Sequence, residues 1–92
     1  MLASKVCLYT TRFCPYCVRA KQVLDSKGVS YQELAVDNDP KLRQEMMKRS
    51  GRRTVPQIWI GNKHVGGFDD LWALEQTDRL DKLLNNECEL NN

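Results

Sequence analysis

The chain has 92 residues, room for one domain rather than two, and its 14 Lys and Arg against 12 Asp and Glu leave a net charge of +2. So small a balance excludes nucleic-acid binding by broad phosphate neutralisation, while a small anion is easily held. No apolar run reaches the length of a membrane span, and Met1-Leu2-Ala3-Ser4-Lys5 lacks the basic and apolar regions of a secretion signal, which predicts a cytoplasmic protein with no membrane partner.

Val6 to Thr10 reads as a buried strand. From Pro15 to Lys27, Cys17, Ala20, Val23 and Leu24 recur at helical spacing, Pro15 suits the first helical position and Gly28 suits the end. Tyr31 to Val36 is a second strand candidate. Asp39-Pro40 opens a helix in which Leu42 and Met46 form an i, i+4 apolar pair, and Ser50-Gly51 closes it. Gln57 to Ile60 and Lys63 to Val65 flank Gly61-Asn62, which suits a tight antiparallel hairpin. Asp69 and Asp70 open a helix through Leu71, Trp72 and Leu74, and Thr77 or Asp78 can cap a last one with Leu80, Leu83 and Leu84. A right-handed βαβ crossover followed by a hairpin predicts an α/β fold of thioredoxin-like kind. Its order is βαβαββα with a split C-terminal helix, and its four-stranded mixed sheet is flanked by helices in one domain over residues 1–92.

The chemistry centres on Cys14-Pro15-Tyr16-Cys17. With Pro15 at the first helical position, Cys14 sits at a helix N-terminus, where unpaired N–H groups and the positive end of the dipole favour a thiolate. Cys17 lies one turn later, within reach of the same sulfur. Two of the four cysteines in CxxC spacing, without a secretion signal, point to redox catalysis over a stapling framework. A bare CxxC also suits half a zinc site, but neither Cys7, His64 nor Cys88 supplies a second ligand pair at recognisable spacing.

Four features in order resemble the glutaredoxin family, particularly its small bacterial dithiol members: Cys14-Pro15-Tyr16-Cys17, Thr54-Val55-Pro56, Gly66-Gly67 and, after Phe68, Asp69-Asp70. Arg19-Ala20-Lys21, Lys48-Arg49-Ser50-Gly51-Arg52 and Val55-Pro56-Gln57-Ile58 fit the same pattern, so the likeness covers nearly the whole chain. It implies a glutathione-dependent disulfide oxidoreductase with Cys14 as nucleophile and Cys17 as resolving thiol, and with no metal. The implied partners are glutathione and glutathionylated or disulfide-containing proteins, ribonucleotide reductase among the candidates, for a monomeric enzyme.

The resemblance also implies a cis bond between Val55 and Pro56, which would turn the Val55 N–H and C=O outward to pair with a cysteinyl peptide. The γ-glutamyl carboxylate of glutathione would meet the N–H groups of Phe68 and Asp69 beside the Gly67 turn, and its ammonium the Asp70 carboxylate. Helix capping alone would also explain both aspartates, and Asp69 is read mostly so. Arg52 is the candidate for the glycyl carboxylate, ahead of Arg53; the competing reading is a solvated basic face over Lys41 to Arg53. The chain departs from the family at Thr11, where a lysine is common, and Arg12 is the neighbouring substitute. Phe68 stands where several relatives have a further cysteine. Tyr16 covers the thiols or simply packs. Trp59 and Trp72 read as core or cover, Cys7 as buried and inert, and Cys88 as an exposed thiol in the tail. Two rival functions remain: a thioredoxin-like donor reduced directly by a flavoprotein, and a [2Fe–2S] module held through Cys14 and glutathione.

Overall fold

The computed structural model describes residues 5–85. Of the tail expected from Asn85 on, the part after Asn85, with Cys88, lies outside them. The elements run β1 (Val6–Thr10), α1 (Pro15–Ser26), β2 (Gln32–Ala35), α2 (Pro40–Ser50), β3 (Gln57–Ile60), β4 (Lys63–Gly66), α3 (Phe68–Gln76) and α4 (Arg79–Leu84). The sheet is mixed and four-stranded in the order β2-β1-β3-β4: β1 pairs with β2 in parallel and with β3 antiparallel, and β3 and β4 form the hairpin.

Alternation along β1 divides the interior into two layers. Val6 and Leu8 join Ile58 and Ile60 under α1, α3 and α4, packed against Ala20, Leu24, Leu71, Leu80 and Leu84. Tyr9 and Trp59 face the other way, onto Met46 of α2 and Val36. Each fully buried leucine or isoleucine contributes roughly 2 kcal/mol relative to exposure, so the sheet is held from both faces. Trp59 is only 5 % exposed, walled by Tyr9 edge-on at 5.3 Å, by the His64 ring at 4.5 Å and by the Arg49 guanidinium at 4.3 Å. Arg49 also donates to the Tyr9 hydroxyl at 2.7 Å, so at this residue the basic stretch is a clamp on the sheet rather than a solvated face. Trp72, by contrast, is 43 % exposed.

Several boundaries differ from the sequence expectation for local reasons. The second strand stops at Ala35, although the Val36 N–H still donates to Thr10 O at 2.8 Å just beyond it. The third helix begins at Phe68, before the two aspartates, with Gly67 as its cap, because the Asp70 carboxylate reaches back to accept from the Gly67 N–H at 3.0 Å. Capping therefore belongs to Asp70 and not to exposed Asp69. Asp78 precedes α4 in a left-handed conformation without a side-chain cap bond, while Thr77 ends α3. Cys7 is half-buried rather than buried, on the α2 side of the sheet, and burial pushes its thiol up against the pull of Arg49.

Candidate active site

The two thiols are set by the junction of β1 and α1. Cys14 is the N-cap of α1 in an extended conformation, Pro15 follows it, and the Cys14 sulfur accepts the Cys17 N–H at 3.2 Å. A sulfur here satisfies one of the donors that every helix start leaves unpaired. Cys14 is half-exposed, whereas Cys17 is 1 % exposed. Burial first, then the hydrogen bond and like charge of Cys14, push the Cys17 thiol up to about 12. One sulfur reaches solvent, and the other is buried behind it.

Across from Cys14 lies the β3 side of the site. The Val55-Pro56 peptide bond is cis, and the Cys14 thiol lies 3.8 Å from the Val55 carbonyl oxygen. The Thr54 loop is held by a residue to which the sequence reading gave no role. Gln57, fully buried, donates from Nε2 to Thr54 O at 3.0 Å and to Thr54 Oγ1 at 3.3 Å, while its Oε1 faces His64 Nε2 at 2.8 Å. Because the Gln57 amide group is turned to Thr54, its oxygen accepts and His64 Nε2 carries the proton. Burial chiefly, with the Arg52 charge, pushes His64 below its ordinary value, which favours the uncharged ring. A polar residue inside an otherwise apolar strand was the available signal, since buried amides require partners.

Gly66 closes the site from β4. Its φ of +118° suits glycine, and a Cβ there would stand 2.2 Å from Asp70 Oδ2 and 3.1 Å from Arg52 Nη1. Into that space the Asp70 carboxylate settles, accepting from the Gly67 N–H and, at 3.1 Å, from Arg52 Nη1. The Gly67 N–H and, after it, Arg52 hold the Asp70 carboxyl below the usual range. Arg52 is anchored at its backbone by Ser50, whose hydroxyl accepts from its N–H at 2.9 Å.

Tyr16, Arg52, Thr54, Val55, Pro56, Gly67, Phe68, Asp69 and Asp70 line one open groove of about 210 Å³. Tyr16 and Phe68 of this lining form an aromatic row that continues to Trp72, with centroids 6.2 and 6.1 Å apart. A larger groove of about 710 Å³ lies along α2, lined by Lys41, Gln44, Glu45, Met47, Lys48 and Arg49, and shares none of these residues. Of the two other arginines weighed for the site, Arg12 is held by Asp37 through Nε at 2.9 Å and through its own N–H at 3.2 Å. The Arg53 carbonyl accepts from Arg43 Nη2 at 3.4 Å.

Behind Cys17, Lys21 Nζ donates to Glu33 Oε2 at 2.9 Å, and the hydroxyl of buried Thr10 donates to the same oxygen at 2.7 Å. Among the described residues, no three His, Cys, Asp or Glu side chains gather as a metal would require, and no helix is long and apolar enough to cross a membrane.

The chain is similar to known proteins over most of its length. The glutaredoxin family model matches residues 6–65. A glutaredoxin of Pseudomonas aeruginosa is 60 % identical over 79 residues, covering 86 % of this chain and 94 % of that protein. The solution structure of a Brucella melitensis glutaredoxin superposes with a TM-score of 0.82 at 50 % identity, over 92 % of each chain. The crystal structure of a buckwheat glutaredoxin–glutathione complex superposes with a TM-score of 0.83 at 29 % identity, over 94 % of this chain and 80 % of that one. Sequence, sheet order and paired thiols thus lead to one conclusion: the chain belongs to the glutaredoxin family, the glutathione-dependent thiol–disulfide oxidoreductases.

Proposed function

We propose that Cys14 is the nucleophile and Cys17 the resolving thiol of a single-domain cytoplasmic enzyme that takes glutathione in the groove lined by Arg52, Val55 and Asp70. The Cys14 thiolate attacks the glutathionyl sulfur of a mixed disulfide. A Cys14–glutathione disulfide forms, the substrate's S–S bond breaks, and the substrate leaves as a thiolate that takes a proton from solvent. A second glutathione thiolate attacks the glutathionyl sulfur of the adduct, giving glutathione disulfide and free Cys14. With a protein disulfide, Cys14 forms the mixed disulfide and Cys17 closes on it, releasing the target as a dithiol.

In this reading the Val55 backbone pairs with the cysteinyl residue, and Thr54 and cis-Pro56 shape that wall. The N–H groups of Phe68 and Asp69 receive the γ-glutamyl carboxylate, Asp70 its ammonium and Arg52 the glycyl carboxylate. Gly67 lets the backbone approach, and Tyr16 covers the disulfide. Protein substrates are glutathionylated or disulfide-containing proteins, with ribonucleotide reductase the first to test. No metal takes part.

The observation that carries the reading is the position of the Cys14 sulfur, 3.8 Å from the Val55 carbonyl at the wall of a groove that also holds Asp70 and the first amides of α3. The test is a pair of variants in two assays. Cys14→Ser should lose all activity. Cys17→Ser should keep deglutathionylation of a small mixed disulfide and lose most reduction of a protein disulfide. Equal loss in both assays for Cys17→Ser would overturn the assignment.

A further inference from the structure

Resolution poses a problem that the burial of Cys17 makes acute. A thiol attacks as its thiolate, yet Cys17 is 1 % exposed and its thiol is pushed up to about 12. Part of that push disappears once Cys14 is in a mixed disulfide, since Cys14 then has no thiolate to repel that of Cys17 or to accept from its thiol. Desolvation remains. Against it stand two groups: the Thr11 N–H, which hydrogen-bonds the Cys17 sulfur, and the ammonium of Lys21.

Lys21 is four residues beyond Cys17 on α1, hence on the same helix face and one turn away. A free lysine side chain would carry its charge into water, but this one is clamped. Its Nζ donates to Glu33 Oε2 on β2, and Glu33 is fixed in turn by the Thr10 hydroxyl and by the parallel register that sets Glu33 beside Leu8. Thr10 ends β1 and Thr11 follows it, Cys14 and Lys21 belong to α1 and its cap, and Glu33, with Tyr31 before β2, acts on Lys21. The clamp joins the sheet to the face of the helix that carries the buried thiol.

We propose that Lys21, held by Glu33 and Thr10, is a positioning residue for resolution, its ammonium favouring the thiolate of Cys17 as that sulfur attacks the Cys14 mixed disulfide. The proposal rests on the roles assigned above to the two thiols. In the step, Cys17 gives its proton to solvent, the Cys17–Cys14 S–S bond forms, the bond from Cys14 to the target sulfur breaks, and the departing thiolate is protonated from solvent. Lys21 touches neither sulfur and transfers no proton. Its contribution is a fixed charge, matched to a negative charge that exists only while Cys17 is ionised.

The test is single-turnover. Reduced enzyme is mixed with glutathione disulfide, quenched with acid at successive times, and the Cys14–glutathione adduct and the Cys14–Cys17 disulfide are counted by mass spectrometry across pH. In Lys21→Met, closure of the adduct at pH 7 should slow about twofold, because a roughly threefold smaller thiolate fraction is partly offset by a more nucleophilic thiolate. The closure profile should also move up by about half a pH unit, as expected for losing one partly screened charge. Lys21→Arg should keep the wild-type profile, and placing Lys21→Met in the Cys17→Ser background should leave deglutathionylation unchanged. A slower closure with an unmoved pH profile would mean a merely structural role and overturn the proposal, as would an equal loss in the Cys17→Ser background. If Cys17→Ser alone kept full protein-disulfide reduction, the thiol roles themselves would fall, a result independent of anything Lys21 does.

Discussion

Arg52 Nη1 lies 3.1 Å from Asp70 Oδ2, so the two side chains assigned to opposite ends of glutathione hold each other in the free protein. Both are nearly half exposed, at 48 % and 46 %, and the pair is therefore weak and exchangeable. Binding would replace one charge-assisted contact by two. Arg52→Ala should raise the KM for a glutathione mixed disulfide by a few-fold while freeing Asp70 for the ammonium, and the defect should shrink at high salt, where the wild-type advantage is screened. Steady-state kinetics at low and high ionic strength check this.

Asp70→Asn should act on two properties at once. Losing the charge should weaken saturation by glutathione mixed disulfides by ~1–2 kcal/mol. Because the carboxylate also caps α3 at Gly67, a fall in stability of ~0.5–1 kcal/mol should accompany it, kept small by solvent screening. Kinetics with thermal melts separate the two. A loss of stability alone would leave Asp70 as a cap.

The same carboxylate fixes an acid limb. The Gly67 N–H and Arg52 hold the folded-state Asp70 carboxyl below its ordinary 3.8, so the unfolded chain binds this proton first. The contribution is present above about pH 4 and is lost as pH falls through the folded-state value. Melting curves of wild type and Asp70→Asn should therefore stay separated from neutral pH down to about pH 4 and converge below it.

Gly66→Ala should be costly out of proportion to one methyl group. The backbone sits at φ +118°, and the added carbon would meet Asp70 Oδ2 at 2.2 Å. A destabilisation of ~1–3 kcal/mol is expected, together with a raised KM, because the displaced carboxylate is the one assigned to the ammonium. Chemical denaturation and the mixed-disulfide assay read the two effects.

Gln57→Leu should keep the strand packed but leave Thr54 O and His64 Nε2 without their partner, at ~1–3 kcal/mol for the buried groups stranded. Activity should fall further than stability explains, since the Thr54 loop carries the Val55 carbonyl beside Cys14. Comparable activity at a temperature where both proteins are fully folded would show that the loop holds its shape without Gln57.

Much of this architecture was legible in residues whose meaning is local. β1 and the helix from Pro40 to Ser50 follow from an apolar run and from an Asp-Pro start with a glycine stop, and both lie where expected. The element order follows from the spacing of such signals. What escaped depends on residues distant in sequence. That Arg12 belongs to Asp37, Arg49 to Tyr9 and Trp59, and Gln57 to His64 is decided by which elements become neighbours. The start of α3 was missed by one or two residues because Asp70 reaches backwards, and a capping side chain is as visible from three positions away as from the cap itself.

The two tryptophans stand in environments so different that the protein carries a pair of independent optical probes. Trp72, stacked on the Phe68 that lines the groove, should change its emission when the site is occupied. Trp59, between a guanidinium and an imidazole, should respond to loss of the sheet instead. With Trp72→Phe the remaining signal should follow unfolding and ignore glutathione, so that occupancy and folding can be read apart in one cuvette without a label.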